Sequence, residues 1–265
     1  MNAVNKYWRI FATGLCFAIF GLGGLTLSFI IIPLIRLTTP NTIQREYRVQ
    51  NVIRITFNFF CRLMKFTGAI DYRIEGAEIL ANDKDCLIVA NHPSLIDYVL
   101  VASQLKQCDC LVKAAIWSNP FMKHIVKAAG YIPNETPDDL LDLCEERFDR
   151  GNVLLVFPEG TRTTPGVASK LQRGAAQIAI RTQRDLRIIH ISVSPSFLTK
   201  EKKWYQVPET KPFFHVEVKD KVEVMPFIEQ TNNPTSAARR LNSYLAEAIF
   251  PSINNNYVGP RGSTT

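Results

Sequence analysis

The chain has 265 residues, 46% of them hydrophobic, and a formal net charge of +7, enough for one sizeable α/β domain with a real core plus an appendage. Up to Phe66 the cations Lys6, Arg9, Arg36, Arg45, Arg48, Arg54, Arg62 and Lys65 stand against one acid, Glu46, so the first quarter carries about all of the excess. A nucleic-acid binder spreads its basic stripe over the folded domain, so this placement argues against nucleic acid and for anionic lipid headgroups.

Residues 10–35 contain no charge. The segment is long enough to span a bilayer with tilt. It is too long for a signal-peptide core and has no small-residue cleavage site, so it is expected to stay on the protein. Gly21, Gly23, Gly24 and Pro33 interrupt it. Two forms therefore stand: a membrane-spanning helix, or a helical hairpin bent at Gly21–Gly24 and lying in one leaflet. Residues 42–66 follow with Val49, Val52, Ile53, Phe57, Phe60, Leu63 and Met64 at helical spacing, flanked by Arg45, Arg48, Arg62 and Lys65. Such a helix can lie in the lipid interface, or pack its stripe on the domain, or do both with different faces.

The globular part opens near Ala69. Strands are expected at 71–75, 86–90, 110–113, 152–157, 188–193 and 213–219, and helices at 97–104, 121–129, 137–150, 175–181 and 235–250. Thr136-Pro137-Asp138-Asp139 is a helix start. Short apolar strands alternating with helices predict an α/β three-layer sandwich with a mixed, mostly parallel sheet. The expected domains are 1–66 as membrane anchor and amphipathic helix, 67–253 as the enzymatic unit, and 254–265 as a frayed tail. Six cysteines without a C-x-x-C pair or histidines at ligand spacing predict free thiols in a reducing compartment and no metal.

Two short blocks carry the chemistry. Residues 86–90 read as a buried strand, and Asn91-His92-Pro93-Ser94-Leu95-Ile96-Asp97 follows at its carboxyl end, where α/β sheets bind ligands. Asp97 has two readings. Ser94-x-x-Asp97 resembles a capping box. A carboxylate one helical turn from His92 can also fix the imidazole tautomer and stabilise the cation formed on proton uptake. Ser94 lacks the G-x-S-x-G context of a nucleophile elbow. The second block, Phe157-Pro158-Glu159-Gly160-Thr161-Arg162, ends another buried strand on a tight turn. Its guanidinium can grip a phosphate bidentately. Lys170, Arg173 and Gly174 precede a helix whose N-terminus favours anions, and Lys113 ends a third strand beside the same crevice.

With these residues in hand, the chain resembles the 1-acylglycerol-3-phosphate acyltransferase family. N-H-x-x-x-x-D matches at Asn91, His92 and Asp97, and F-P-E-G-T-R matches in full at Phe157 to Arg162. The resemblance implies that His92, oriented by Asp97, deprotonates an acceptor hydroxyl, which attacks the thioester of acyl-CoA or acyl-carrier protein. It implies that Glu159, Gly160, Thr161, Arg162 and Lys113 bind substrate. No cofactor beyond the acyl co-substrate is expected, and the partners are membrane lipids and the acyl carrier. The expected location is the cytoplasmic (inner) membrane, with the domain facing the cytoplasm. Two places depart from the family. Gly130-Tyr131-Ile132-Pro133-Asn134-Glu135 lacks the arginine that helps bind glycerol phosphate, and Ile189-His190-Ile191 stands where a proline is usual. The altered blocks resemble a bacterial branch that esterifies glycolipid or polyene acceptors. An acyl-ester hydrolase using the same His–Asp pair is the competing reaction class, and a non-catalytic lipid binder a third.

Overall fold

In the computed structural model, residues 3–119, 122–134, 137–163, 170–231 and 233–250 are described. Thr136, at the expected helix start, Glu135 and the tail at 254–265 lie outside them. The elements in chain order are α1 (Ala3–Thr26), a π-helical turn (Leu27–Ile31), α2 (Ile32–Thr38), α3 (Thr42–Phe66), β1 (Asp71–Glu75), α4 (Ala77–Leu80), β2 (Leu87–Ala90), α5 (Asp97–Ala102), β3 (Cys108–Val112), α6 (Ala114–Trp117) and α7 (Lys123–Ala128). The chain goes on through β4 (Ile132–Pro133), α8 (Pro137–Asp149), β5 (Val153–Val156), α9 (Gly174–Thr182), β6 (Leu186–Ser194), β7 (Phe213–Val222), α10 (Met225–Glu229) and α11 (Pro234–Ile249).

The seven strands form one sheet in the order β1-β7-β6-β2-β5-β3-β4, parallel throughout except for the β6–β7 pair. β2 and β5 lie at its centre and read as unbroken apolar runs because helices cover both faces. On one face Leu87, Val89 and Leu154 pack with residues of α8, α9 and α11; on the other, Ile88, Ala90 and Leu155 pack with Val101, Ala102 and Leu105. β4 was not anticipated: at two residues it has no periodicity of its own and exists by pairing with β3.

The expected bend at Gly21–Gly24 is corrected. α1 runs through these glycines unbroken. The irregularity comes at Leu27–Ile31, where Ile32 N–H bonds the Leu27 carbonyl five residues back. Pro33 follows directly and has no N–H for a normal ladder. The reversal is at residues 39–41, where Thr39 is extended and the Asn41 side chain accepts from Gln44 N–H to cap α3. The stripe of α3 packs on the domain: Val49 and Ile53 meet Leu27, Ile32, Ile125 and Tyr131, while Phe60 and Met64 meet Ala12, Leu100 and Phe197. Each such buried side chain contributes about 1.5–3 kcal/mol.

α1 and α2 lie back along α3. Val4–Thr38 is long and apolar enough to cross a membrane, yet only 22% of its most apolar window is buried, unlike the core helix of a soluble protein. Val4, Trp8, Phe11, Leu15, Leu22, Leu25 and Phe29 are exposed at spacings of three, four and seven, which places them on one outward face.

Candidate active site

β2 and β5 pair in register, Val89 opposite Val156. His92 and Glu159 therefore leave the sheet at one height, and the two blocks meet. His92 N–H donates to Glu159 Oε1 at 2.9 Å and to Thr163 Oγ1 at 3.2 Å; Thr163 Oγ1 donates to the same Glu159 oxygen at 2.6 Å. Thr163 N–H closes the link on the His92 carbonyl at 2.7 Å. Thr163 was not singled out from the sequence, because a threonine one position past a matched block carries no signal until the blocks are side by side. Asn91 is locked to β6, its amide exchanging two 2.7 Å bonds with the Ile191 backbone.

The His92 side chain is 20% exposed, and its Nδ1 lies 2.9 Å from Asp97 Oδ2. The ring stacks on Phe157, centroids 4.3 Å apart. No described residue bonds Nε2, which remains available for a proton. Asp97 is fully buried and also accepts from Ser94 N–H at 2.6 Å. This is half a capping box: the carboxylate reaches back, but Ser94 Oγ has no partner and Ile96 holds the N-cap position. Both readings of Asp97 thus coexist, while Ser94 does not start the helix. Burial pushes the Asp97 carboxyl up to about 6, against the pull of His92 and the Ser94 amide.

The expected substrate-binding residues follow the carboxyl ends of β3 and β5. Glu159 is buried, with Oε1 spent on His92 and Thr163, so it braces the loop that carries the imidazole. Gly160 sits at φ 67°, and a Cβ there would come within 3.3 Å of the Gln172 side chain. Thr161 is exposed. Arg162 is half-buried, its Nη1 donating to the carbonyls of Leu198 and Thr199 at 3.0 and 2.9 Å. Lys113 reaches over from the end of β3, its Nζ bonding the Gly160 carbonyl at 2.9 Å. Asn134, in the segment lacking the expected arginine, bonds the Val112 carbonyl through its N–H at 3.0 Å and so sits beside Lys113. Among the described residues no group of three or more His, Cys, Asp or Glu is placed to hold a metal ion. The crevice thus joins a proton acceptor with a buried carboxylate behind it to a basic turn at the sheet's carboxyl edge.

Residues 71–195 match the sequence profile described as Acyltransferase. The 1-acyl-sn-glycerol-3-phosphate acyltransferase BAT2, chloroplastic, of Brassica napus is 30% identical over 115 residues, 41% of this chain and 33% of the relative. The 1-acyl-sn-glycerol-3-phosphate acyltransferase of Pseudomonas aeruginosa is 25% identical over 191 residues, 70% of each chain. The chain spans about a third of the length of the plant relatives it matches. Among solved structures, the 1-acyl-sn-glycerophosphate acyltransferase PlsC of Thermotoga maritima superposes with a TM-score of 0.67 over 96% of this chain and 100% of that one. At 15% identity that likeness establishes the fold.

Proposed function

From the match of residues 71–195 to the Acyltransferase profile we propose that the chain moves an acyl group from a thioester to the hydroxyl of a lipid. The observation that carries this is the bond from His92 Nδ1 to the buried Asp97, with Nε2 free of described partners at the crevice. Nε2 takes the proton of the acceptor hydroxyl as that oxygen attacks the thioester carbonyl. The carbon–sulfur bond then breaks, and the imidazolium returns the proton to the departing thiolate. Asp97 holds the tautomer and faces the cation formed in between. Acyl-CoA or acyl-carrier protein is the donor; the candidate acceptors are 1-acylglycerol-3-phosphate, another lysophospholipid, or a related lipid alcohol.

Lys113 and Arg162 are the cations we assign to an acceptor phosphate. Arg162 is engaged by two carbonyls and the arginine expected near Asn134 is missing, which favours a larger, less charged acceptor such as a glycolipid or polyene over a simple phosphomonoester. The deciding experiment presents the purified chain with acyl-CoA or acyl-carrier protein and a panel of lyso-lipids and lipid alcohols. Acyl ester formed only when an acceptor is present is expected, with poor turnover on lysophosphatidate. Thiol release that needs no acceptor would instead mean a hydrolase.

The helical hairpin supports a location in one leaflet of the cytoplasmic membrane, with the domain on the cytoplasmic side. Near the start of α1, Arg9 is buried and donates through Nη2 to the carbonyls of Pro208 and Glu209, and Trp8 Nε1 donates to Thr67 O at 2.9 Å. At the other end Ile32 packs with Val49. A perpendicular span would drag the folded domain into hydrocarbon. A helix lying in the interface keeps its apolar face in lipid and the crevice at headgroup height, where a lipid acceptor slides in laterally. The cations between Arg36 and Lys65 fit the cytoplasmic leaflet. Protease should spare the domain in right-side-out vesicles and digest it in inverted ones.

A further inference from the structure

The corner between α2 and α3 carries a group of cations that acyl transfer does not use. Arg36 on α2, Arg45 in the first turn of α3 and Lys127 on α7 line a cleft of about 250 Å³ with Thr42, Glu46 and Val49. Glu46 is the lone carboxylate among the lining residues, and it is already held by Arg147 and Arg150, both through Nη1. Arg150 also pairs with Glu146 through Nη2; Glu46 is thus neutralised by groups outside the cleft lining. Among the described residues no carboxylate pairs with Arg36, Arg45 or Lys127. Arg45 is held in place by Thr42, its Nη2 donating to the hydroxyl at 2.8 Å. Lys127 Nζ stands 5.6 Å from the centre of the Trp117 ring.

The cleft lies where the exposed apolar face of α1 and α2 ends. Leu34 and Leu37, on either side of Arg36, are both exposed. Three uncompensated cations beside exposed leucines complement a ligand with an anionic head and apolar tails. A free phosphate uses the cations and has nothing for the leucines.

We propose that this cleft binds the phosphate of an anionic membrane phospholipid, as a standing contact with the bilayer and not as a substrate subsite. The inference rests on the one-leaflet placement argued above and adds to it a defined site and a lipid preference. Arg36, Arg45 and Lys127 surround the phosphate, while Leu34 and Leu37 enter the acyl boundary beside it. The corner is then pinned at headgroup depth, which sets the height of the crevice above the leaflet.

The test uses the full chain and vesicles of phosphatidylcholine with or without phosphatidylglycerol. The wild-type protein binds both, prefers those containing phosphatidylglycerol, and loses that preference as salt rises. Each near-surface cation contributes about fivefold, so Arg36→Gln/Arg45→Gln/Lys127→Gln loses about a hundredfold of the preference. Its binding to phosphatidylcholine alone and its turnover in detergent micelles stay unchanged. Arg36→Gln alone, at an exposed residue, loses about fivefold and covers the case in which the triple variant folds poorly. Lys84→Gln/Lys106→Gln/Arg181→Gln removes equal charge near the amino ends of the strands, away from the crevice, and keeps the preference. An equal loss there, or a triple cleft variant that keeps the wild-type preference, overturns the site. Saturable micromolar binding of inorganic phosphate to the detergent-solubilised chain, lost in the cleft variant, reassigns it to free phosphate. A raised KM for acyl-CoA with vesicle preference intact reassigns it to the donor. Wild-type protein that binds neither kind of vesicle defeats the membrane placement itself, and the cleft with it.

Discussion

Asp97 and Asp109 are both fully buried carboxylates, and burial pushes both up to about 6. Their partners separate them. Asp109 ends its bonds on side-chain amides: Gln50 Nε2 donates to Oδ1 and Asn152 Nδ2 to Oδ2, each at 2.7 Å. Gln50 also reaches the Ala129 carbonyl at 2.9 Å, so the node ties α3 to β3, to the end of α7 and to the turn before β5. Asp97 instead bonds a titratable ring and one backbone N–H, and its Oδ1 has no partner. The same electrostatic burden is used at one place to clamp the N-terminal helices on the domain, and at the other to hold an imidazole. A carboxylate meeting only non-titrating donors is structural; one that shares a bond with a partly exposed imidazole is poised for proton transfer.

Substitutions can break that contrast. The largest expected effect is on the catalytic side: His92→Ala lowers kcat by about 10²–10⁴-fold, with the melting temperature close to wild type. Turnover near wild type with the true acceptor would refute the base assignment. Next comes Asp109→Ala, which strands the Gln50 and Asn152 donors in the core and lowers stability by about 2–4 kcal/mol. Urea unfolding reads this, and the activity of the molecules that remain folded is unchanged. If activity fell in step with that of His92→Ala, the division between the two carboxylates would fail.

Asp97→Asn has a smaller effect on rate than His92→Ala, because the base survives with its orientation impaired. It should also leave stability unchanged or raise the melting temperature by a few degrees, since a buried charge is removed and the Ser94 amide keeps an acceptor. A clear drop in stability would make Asp97 structural, like Asp109.

The smallest effect is in the pH profile. Both carboxyls titrate higher in the folded chain than unfolded, so between about pH 4 and 6 the folded state holds more protons. Their contribution to stability therefore falls as pH rises through that window. Activity rises over the same window as Asp97 ionises. Calorimetry across pH should show a shallower decline in Asp97→Asn than in wild type; parallel curves would mean that Asp97 is ionised throughout.

Much of this was legible before the fold was known. The strands 71–75 and 213–219 announced themselves by β-rich runs, and β1 begins and ends where expected. His92 and Asp97 could be paired because five positions across a strand–loop–helix junction fix their proximity locally. Glu159 and Arg162 were visible as residue types, but their partners were not. That Glu159 would hold the His92 backbone through Thr163 depended on β2 and β5 becoming neighbours. That Arg162 would bond carbonyls of the loop after β6 depended on a contact from 36 positions away.

Most of the longer strands and helices, the apolar N-terminus and the positions of the imidazole, the carboxylates and the cations could be read along the chain, because helical and strand periodicity, charge and turn chemistry are local properties. Where the N-terminal helix reverses, which face of α3 is consumed by packing, and which amides reach the buried Asp109 were settled by packing between distant segments. Those outcomes follow from strand order and register, which bring segments far apart in the chain to the same height, and from which side chains packing delivers to a buried carboxylate.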